Sequence, residues 1–192
     1  NSAATDMDNA GASDILLEFD PSQSQSGLNS WQMGLSGFGQ FNVANLVQIQ
    51  NPGQIVSARA IAVADANNDN FDDLLLQVDT VDSLRTWQVL GSDGTTLSSS
   101  AGNAISIFEA RTGDDARAVA FRDINADGYA DILIQAQGVT TRGNVNYYVS
   151  FGGAASFSTP QELYRFDQKL GRPEIIALED VNGDGTADLV FE

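Results

Sequence analysis

One aspartate-rich pattern returns along this chain at an almost constant interval, and that interval limits the fold more than any other feature. Asp65-Ala66-Asn67-Asn68-Asp69-Asn70-Phe71-Asp72-Asp73 recurs as Asp123-Ile124-Asn125-Ala126-Asp127-Gly128-Tyr129-Ala130-Asp131. It recurs again as Asp180-Val181-Asn182-Gly183-Asp184-Gly185-Thr186-Ala187-Asp188. A degenerate copy, Asp6-Met7-Asp8-Asn9-Ala10-Gly11-Ala12-Ser13-Asp14, stands near the start. The closing aspartates fall at 14, 73, 131 and 188, which are 59, 58 and 57 residues apart. A period that steady implies one structural unit per repeat.

The same strand signals surround each copy. Apolar alternating stretches precede the loops at 58–64, 116–121 and 174–178, and others follow at 74–78, 132–135 and 189–191. A third stretch carries an aromatic and ends in glycine: Trp31 to Gly37, Trp87 to Gly94, and Tyr147 to Gly153. A fourth lies near 46–50, 104–108 and 162–166. Alternation, β-branched and aromatic residues, and Gly/Asn/Asp/Ser turns mark strands, and no segment keeps a long helical period. The expectation is a single all-β domain over 1–192. It is a β-propeller-type repeat of four-stranded antiparallel blades, a little over three units long, with loops at 6–14, 65–73, 123–131 and 180–188.

The loop pattern Asp-x-Asn-x-Asp-Gly-x-x-Asp suits a hard cation. Calcium takes six to eight oxygens in a flexible shell. Side chains at positions 1, 3 and 5 of a tight loop converge, the main-chain carbonyl at position 7 adds an oxygen, and the acid at position 9 closes the shell. The expected ligands are Asp65, Asn67, Asp69, Phe71 and Asp73; Asp123, Asn125, Asp127, Tyr129 and Asp131; and Asp180, Asn182, Asp184, Thr186 and Asp188. In the degenerate copy they are Asp6, Asp8, Ala12 and Asp14, a weaker set because Ala10 removes the ligand at position 5. Glycine at position 6 permits a left-handed turn, and Asn70 substitutes for it once. A plain turn needs about two such residues, not four acceptors at fixed offsets copied three times.

The first positions resemble an EF-hand, but the ending does not. An EF-hand needs a bidentate Glu at position 12 between two helices. Here position 12 is Leu76, Ile134 or Phe191, each in a strand pattern. Magnesium demands a rigid octahedron and keeps its waters, so this oxygen-rich loop favours calcium over it. Zinc and copper prefer nitrogen or sulfur ligands, and the chain has neither His nor Cys.

The formal net charge is −17, with 26 acidic residues against 9 basic, a field that repels nucleic acid and anionic lipid. Four divalent ions would offset eight of those charges, so metal is expected to stabilise the fold by linkage. No apolar run is long enough to cross a bilayer as a helix, so membrane insertion is not expected. The opening residues Asn1 to Thr5 lack the basic start and apolar stretch of a signal peptide, as in a mature secreted chain. Without His or Cys, catalysis would fall to carboxylate pairs, and most carboxylates sit in the loops. A non-catalytic chain is expected. Trp31, Trp87, Tyr147 and Tyr148 are expected to pack between sheets rather than contact a ligand, Phe38 and Phe41 to fill the units, and Arg85, Arg111, Arg142 and Arg172 to be surface or sheet-edge charges rather than anion clamps.

These loops resemble the FG-GAP/VCBS repeats, the calcium-loop β-propeller family that includes integrin α-subunit heads and fungal and bacterial lectins. Ser150-Phe151-Gly152-Gly153-Ala154-Ala155 is similar to the Phe-Gly…Gly-Ala-Pro element of that family, with the proline missing. Trp87 to Gly94 resembles its aromatic strand and Gly turn. The resemblance implies loops between the inner strands of each blade and an extracellular or cell-surface module for recognition or adhesion. Its ligand would be carbohydrate, lectin-like, or protein; the alternative is a spacer or accessory domain of a larger secreted enzyme or surface protein. Rings of the family hold about seven blades. This length therefore implies either a piece of a longer chain or a homo-oligomer that completes the ring.

Overall fold

The computed structural model describes residues 4–6, 9, 11, 14–19, 30–37, 40–48, 55–95, 97–98, 104–111, 115–138, 143–167, 169 and 173–192; at 4–5, 14–19, 30–37, 40–48, 98 and 104–111 it describes the backbone alone. The fold is all-β and every strand pairing is antiparallel.

Strands adjacent in sequence are adjacent in space. The first sheet runs β1 (Ala4–Thr5), β2 (Asp14–Phe19), β3 (Ser30–Gly37), β4 (Gln40–Gln48). The second runs β5 (Ile55–Ala64), β6 (Asp73–Thr80), β7 (Leu84–Ser92), and β7 then pairs with both β8 (Leu97–Ser98) and β9 (Ala104–Arg111). The third runs β10 (Asp115–Arg122), β11 (Asp131–Gln137), β12 (Val145–Ser150), β13 (Gln161–Phe166). The fourth pairs β14 (Ile175–Glu179) with β15 (Asp188–Phe191). Among the described residues no sheet closes into a barrel. The repeat of the sequence is thus a repeat of meanders, and each aspartate loop connects the first two strands of its sheet.

Hydrophobic patterning explains the layering. Leu74, Leu75 and Leu76 of β6 and Ile132, Leu133 and Ile134 of β11 are buried on both strand faces, which is why these runs are continuously apolar rather than alternating. Leu75, Trp87 and Val89 share one core with Ala116, Phe121, Ile132 and Ile134, so the second sheet packs on the third. The opposite face of the second sheet buries Ala58, Leu74, Leu76, Val78, Leu90 and Leu97.

Trp87 and Tyr147 are both 0% exposed, as expected of space-filling aromatics, and Tyr148 packs against the first core. The ring of Tyr147 meets Phe166 and Phe191 edge-on, at centroid distances of 6.1 and 5.1 Å, tying the third sheet to β15. The side chains of Trp31, Phe41 and Arg111, and the whole of Phe38, Arg142 and Arg172, lie outside the described residues. Arg85 departs from the surface role expected of it. It is half-buried, pairs with Asp79 at 2.7 Å, and donates through Nη1 to the carbonyl of Ala116 in the next sheet at 2.9 Å. Its guanidinium spans two groups at once, which a free edge charge does not do.

Candidate metal centre

The loops are built by a repeated set of side-chain to main-chain hydrogen bonds. Position 1 leads: Asp65, Asp123 and Asp180 each accept the N–H of position 6 through Oδ2, at 2.8, 2.9 and 2.8 Å. Position 3 follows, with Asn67, Asn125 and Asn182 accepting the N–H of position 5 at 2.9, 3.0 and 2.8 Å. Position 5 then accepts the N–H of position 7, at 2.9 Å in each loop. Asp and Asn favour such short local bonds, which wind the chain into a compact turn.

Backbone sign repeats as strictly. Positions 4 and 6 have positive φ in every loop: Asn9 and Gly11, Asn68 and Asn70, Ala126 and Gly128, Gly183 and Gly185. The Gly and Asn residues at position 6 are the expected left-handed turn; position 4 is a second one. Asn9, Asn68 and Gly183 carry the signal, since Asn and Gly tolerate this conformation, but Ala126 conceals it. In the degenerate copy Gly11 likewise donates to Asp6 Oδ2, at 2.8 Å. Asp8 and Ala12 of that loop, and the side chain of Asp14, lie outside the described residues.

Position 9 anchors the second and third loops to their sheets. Asp73 is 1% exposed and Asp131 is 0% exposed. One oxygen accepts the N–H of position 2, from Ala66 or Ile124, at 2.9 Å. The other reaches the end of the third strand or just beyond it: Ser92, the last residue of β7, donates to Asp73 at 2.7 Å, and Gly152, two residues past β12, donates to Asp131 at 2.8 Å. Burial pushes the Asp73 carboxyl up to about 6, against the opposing pull of the Ser92 and Ala66 amides, with Asp69 and Asp65 adding repulsion. Burial likewise raises Asp131. Asp188 in the fourth loop accepts Val181 and Asn182 N–H groups at 3.0 and 3.2 Å. In the same loop the Thr186 hydroxyl and N–H hold the exposed Asp184 below the usual carboxylate range.

Consecutive loops touch. The N–H of Ala130 donates to the carbonyl of Asp65 at 3.1 Å, and the N–H of Ala187 donates to the carbonyl of Ile124 at 2.8 Å. Among the described residues no three acidic side chains gather closely enough to hold a metal ion by themselves. Each full loop carries oxygen-bearing residues at fixed offsets, namely carboxylates at positions 1, 5 and 9, an amide oxygen at position 3 and a main-chain carbonyl at position 7, which a bound cation would have to draw together. All are oxygens, the donor chemistry of a hard cation.

A second polar feature lies between the third and fourth sheets. A cleft of about 320 Å³ is lined by Arg117, Gln135, Tyr147 and Glu174, with Val119 and Ile175 as apolar wall. Arg117 Nε donates to Gln135 at 2.9 Å, Gln135 Nε2 donates to the Tyr147 hydroxyl at 2.7 Å, and that hydroxyl donates to the carbonyl of Pro173 at 2.9 Å. In the second sheet the corresponding cross-strand row is Arg59, Gln77 and Trp87. Compared with models of known families and with curated proteins, the chain matches none.

Proposed function

We propose that this chain is a non-catalytic, calcium-binding recognition module of the β-propeller type, working outside the cell. The observation that carries the reading is the loop backbone, turned the same way at positions 4 and 6 four times over, each time between the first two strands of a sheet. Bound calcium would supply charge compensation and a cross-link within each loop. Asp65, Asn67, Asp69, the Phe71 carbonyl and Asp73 would hold it in the first full loop, with their counterparts in the other two, and Asp6, Asp8, the Ala12 carbonyl and Asp14 in the weaker one. Sites of this kind fill at about 10⁻⁴–10⁻³ M calcium, a concentration found outside the cytosol.

The blade arrangement rests on successive meanders whose cores merge and whose loops lie side by side. On its outer side β15 has no described partner, and strands of a second copy would add there. Light scattering in calcium measures that association.

For the ligand, the cleft beside Tyr147 favours carbohydrate. It combines hydrogen-bonding groups of both kinds with a short apolar wall, the mixture that hydroxylated rings require. The test is twofold. Melting curves in millimolar calcium and in excess chelator should separate, with the chelated protein melting lower. A glycan array in calcium should show selective binding that Arg117→Ala removes. Unchanged melting would defeat the calcium reading. Silence on the array with the melting shift intact would leave a structural spacer.

A further inference from the structure

We propose that the full loops bind calcium cooperatively, through the main-chain hydrogen bonds that join one loop to the next. The inference rests on the calcium reading above and adds to it a coupling between sites.

The bonds lie where coupling is strongest. Ala130 occupies position 8 of its loop, between Tyr129, whose carbonyl is a candidate ligand, and Asp131, whose carboxylate is another. Its N–H is received by the carbonyl of Asp65, the residue at position 1 of the preceding loop. One hydrogen bond therefore connects three candidate ligand residues of two loops. The next junction repeats the device one residue along. Ala187, between Thr186 and Asp188, donates to Ile124, which sits between Asp123 and Asn125. At the first junction the Asn68 amide also lies close over Gly128, where an added Cβ would come within 3.1 Å of Asn68 Nδ2. Arg122 reinforces the second, donating to the carbonyl of Leu178 at 3.3 Å.

Burial makes the first junction rigid on one side. Ala130 is 2% exposed, and its carbonyl is packed against Gly152, so fixing position 7 and position 9 fixes the N–H between them. A loop ordered by its cation thus presents a fixed donor to its neighbour, and that neighbour then orders at lower entropic cost. Linkage requires the effect to run both ways. Because the junctions join successive loops, coupling passes from neighbour to neighbour along the repeat.

The test is a calcium titration of the full chain followed by amide NMR, with Asn70, Gly128 and Gly185 reporting the three full loops. Disabling the middle loop with Asp127→Ala should weaken binding at the Asn70 and Gly185 loops by about fivefold or more. Disabling the last loop with Asp184→Ala should weaken the middle loop more than the Asn70 loop. Hydrogen exchange in the unmodified chain gives a second readout that needs no variant. Protection of the Ala130 and Ala187 amides should rise together with the loop signals, along a curve steeper than single-site binding. Three independent midpoints, each unmoved by loss of a neighbour, would overturn the coupling and leave the calcium sites standing. No response at any loop would overturn the calcium reading itself, and the coupling with it.

Discussion

The carboxylate of Asp131 accepts the N–H of Gly152 at 2.8 Å, so the closing residue of a loop is held by the segment that follows β12, 21 residues further on. The approach is close enough that a Cβ on Gly152 would collide with the Ala130 carbonyl oxygen and lie 3.2 Å from Tyr129 Cβ. Gly152→Ala should therefore push the segment after β12 away from the loop and cost about 1–3 kcal/mol by denaturant unfolding. Gly153→Ala is the control. Its Cβ would meet only Ser156 O, at 3.4 Å, and the change should stay within about 0.5 kcal/mol.

Ala126 holds φ at 62°, a conformation that a Cβ makes costly by about 1–2 kcal/mol. Ala126→Gly should raise the melting temperature, with a net gain of about 0.5–1 kcal/mol once glycine's greater chain entropy is counted. Gly128→Ala, two residues on at φ 90°, should do the reverse and also crowd Asn68.

Arg85 binds Asp79 with two hydrogen bonds, at 2.7 and 3.0 Å, and crosses to the Ala116 carbonyl. Burial pulls the Asp79 carboxyl up, but the Arg85 hydrogen bonds and charge outweigh it and hold it below its usual value. Arg85→Ala should destabilise by about 2–3 kcal/mol, since charge-assisted bonds are lost and a partly buried carboxylate is left behind. Arg85→Lys should recover little, because an ammonium cannot grip the carboxylate in a fork and reach the next sheet together. Unfolding in urea measures both.

Stability should respond to pH with opposite signs in the two metal states. In chelator, Asp73 binds its proton more tightly folded than unfolded, at about 6 against 3.8. Its contribution is full below pH 4 and fades as pH rises through 6, by about 2–3 kcal/mol. The raised Asp131 acts the same way. The lowered Asp79 acts oppositely, but its contribution is lost only as pH falls below the ordinary carboxylate range. In saturating calcium the trend should reverse, because the ligands must be ionised to bind. Urea midpoints between pH 4 and 7, with calcium and with chelator, give both slopes.

Much of this was legible in the sequence because it is local. The runs Leu74-Leu75-Leu76 and Ile132-Leu133-Ile134 announce strands, and the aspartate offsets announce the turns between them. Positions 1, 3 and 5 bond to amides within five residues, so spacing alone encodes them. What escaped depends on distant partners. Ser92 and Gly152 as clamps on position 9 are separated from it by 19 and 21 residues. Arg85 reaches a carbonyl 31 residues away, which no charge pattern reveals. The left-handed position 4 was visible in Asn9, Asn68 and Gly183, but Ala126 broke the pattern that would have exposed it.

Direct counting of bound calcium bears most heavily on the account. Equilibrium dialysis of the full chain against millimolar calcium should find at least three ions per molecule. Asp69→Ala, Asp127→Ala and Asp184→Ala combined should abolish uptake at the full loops. A chain that takes up no calcium at that concentration would contradict the account at its root.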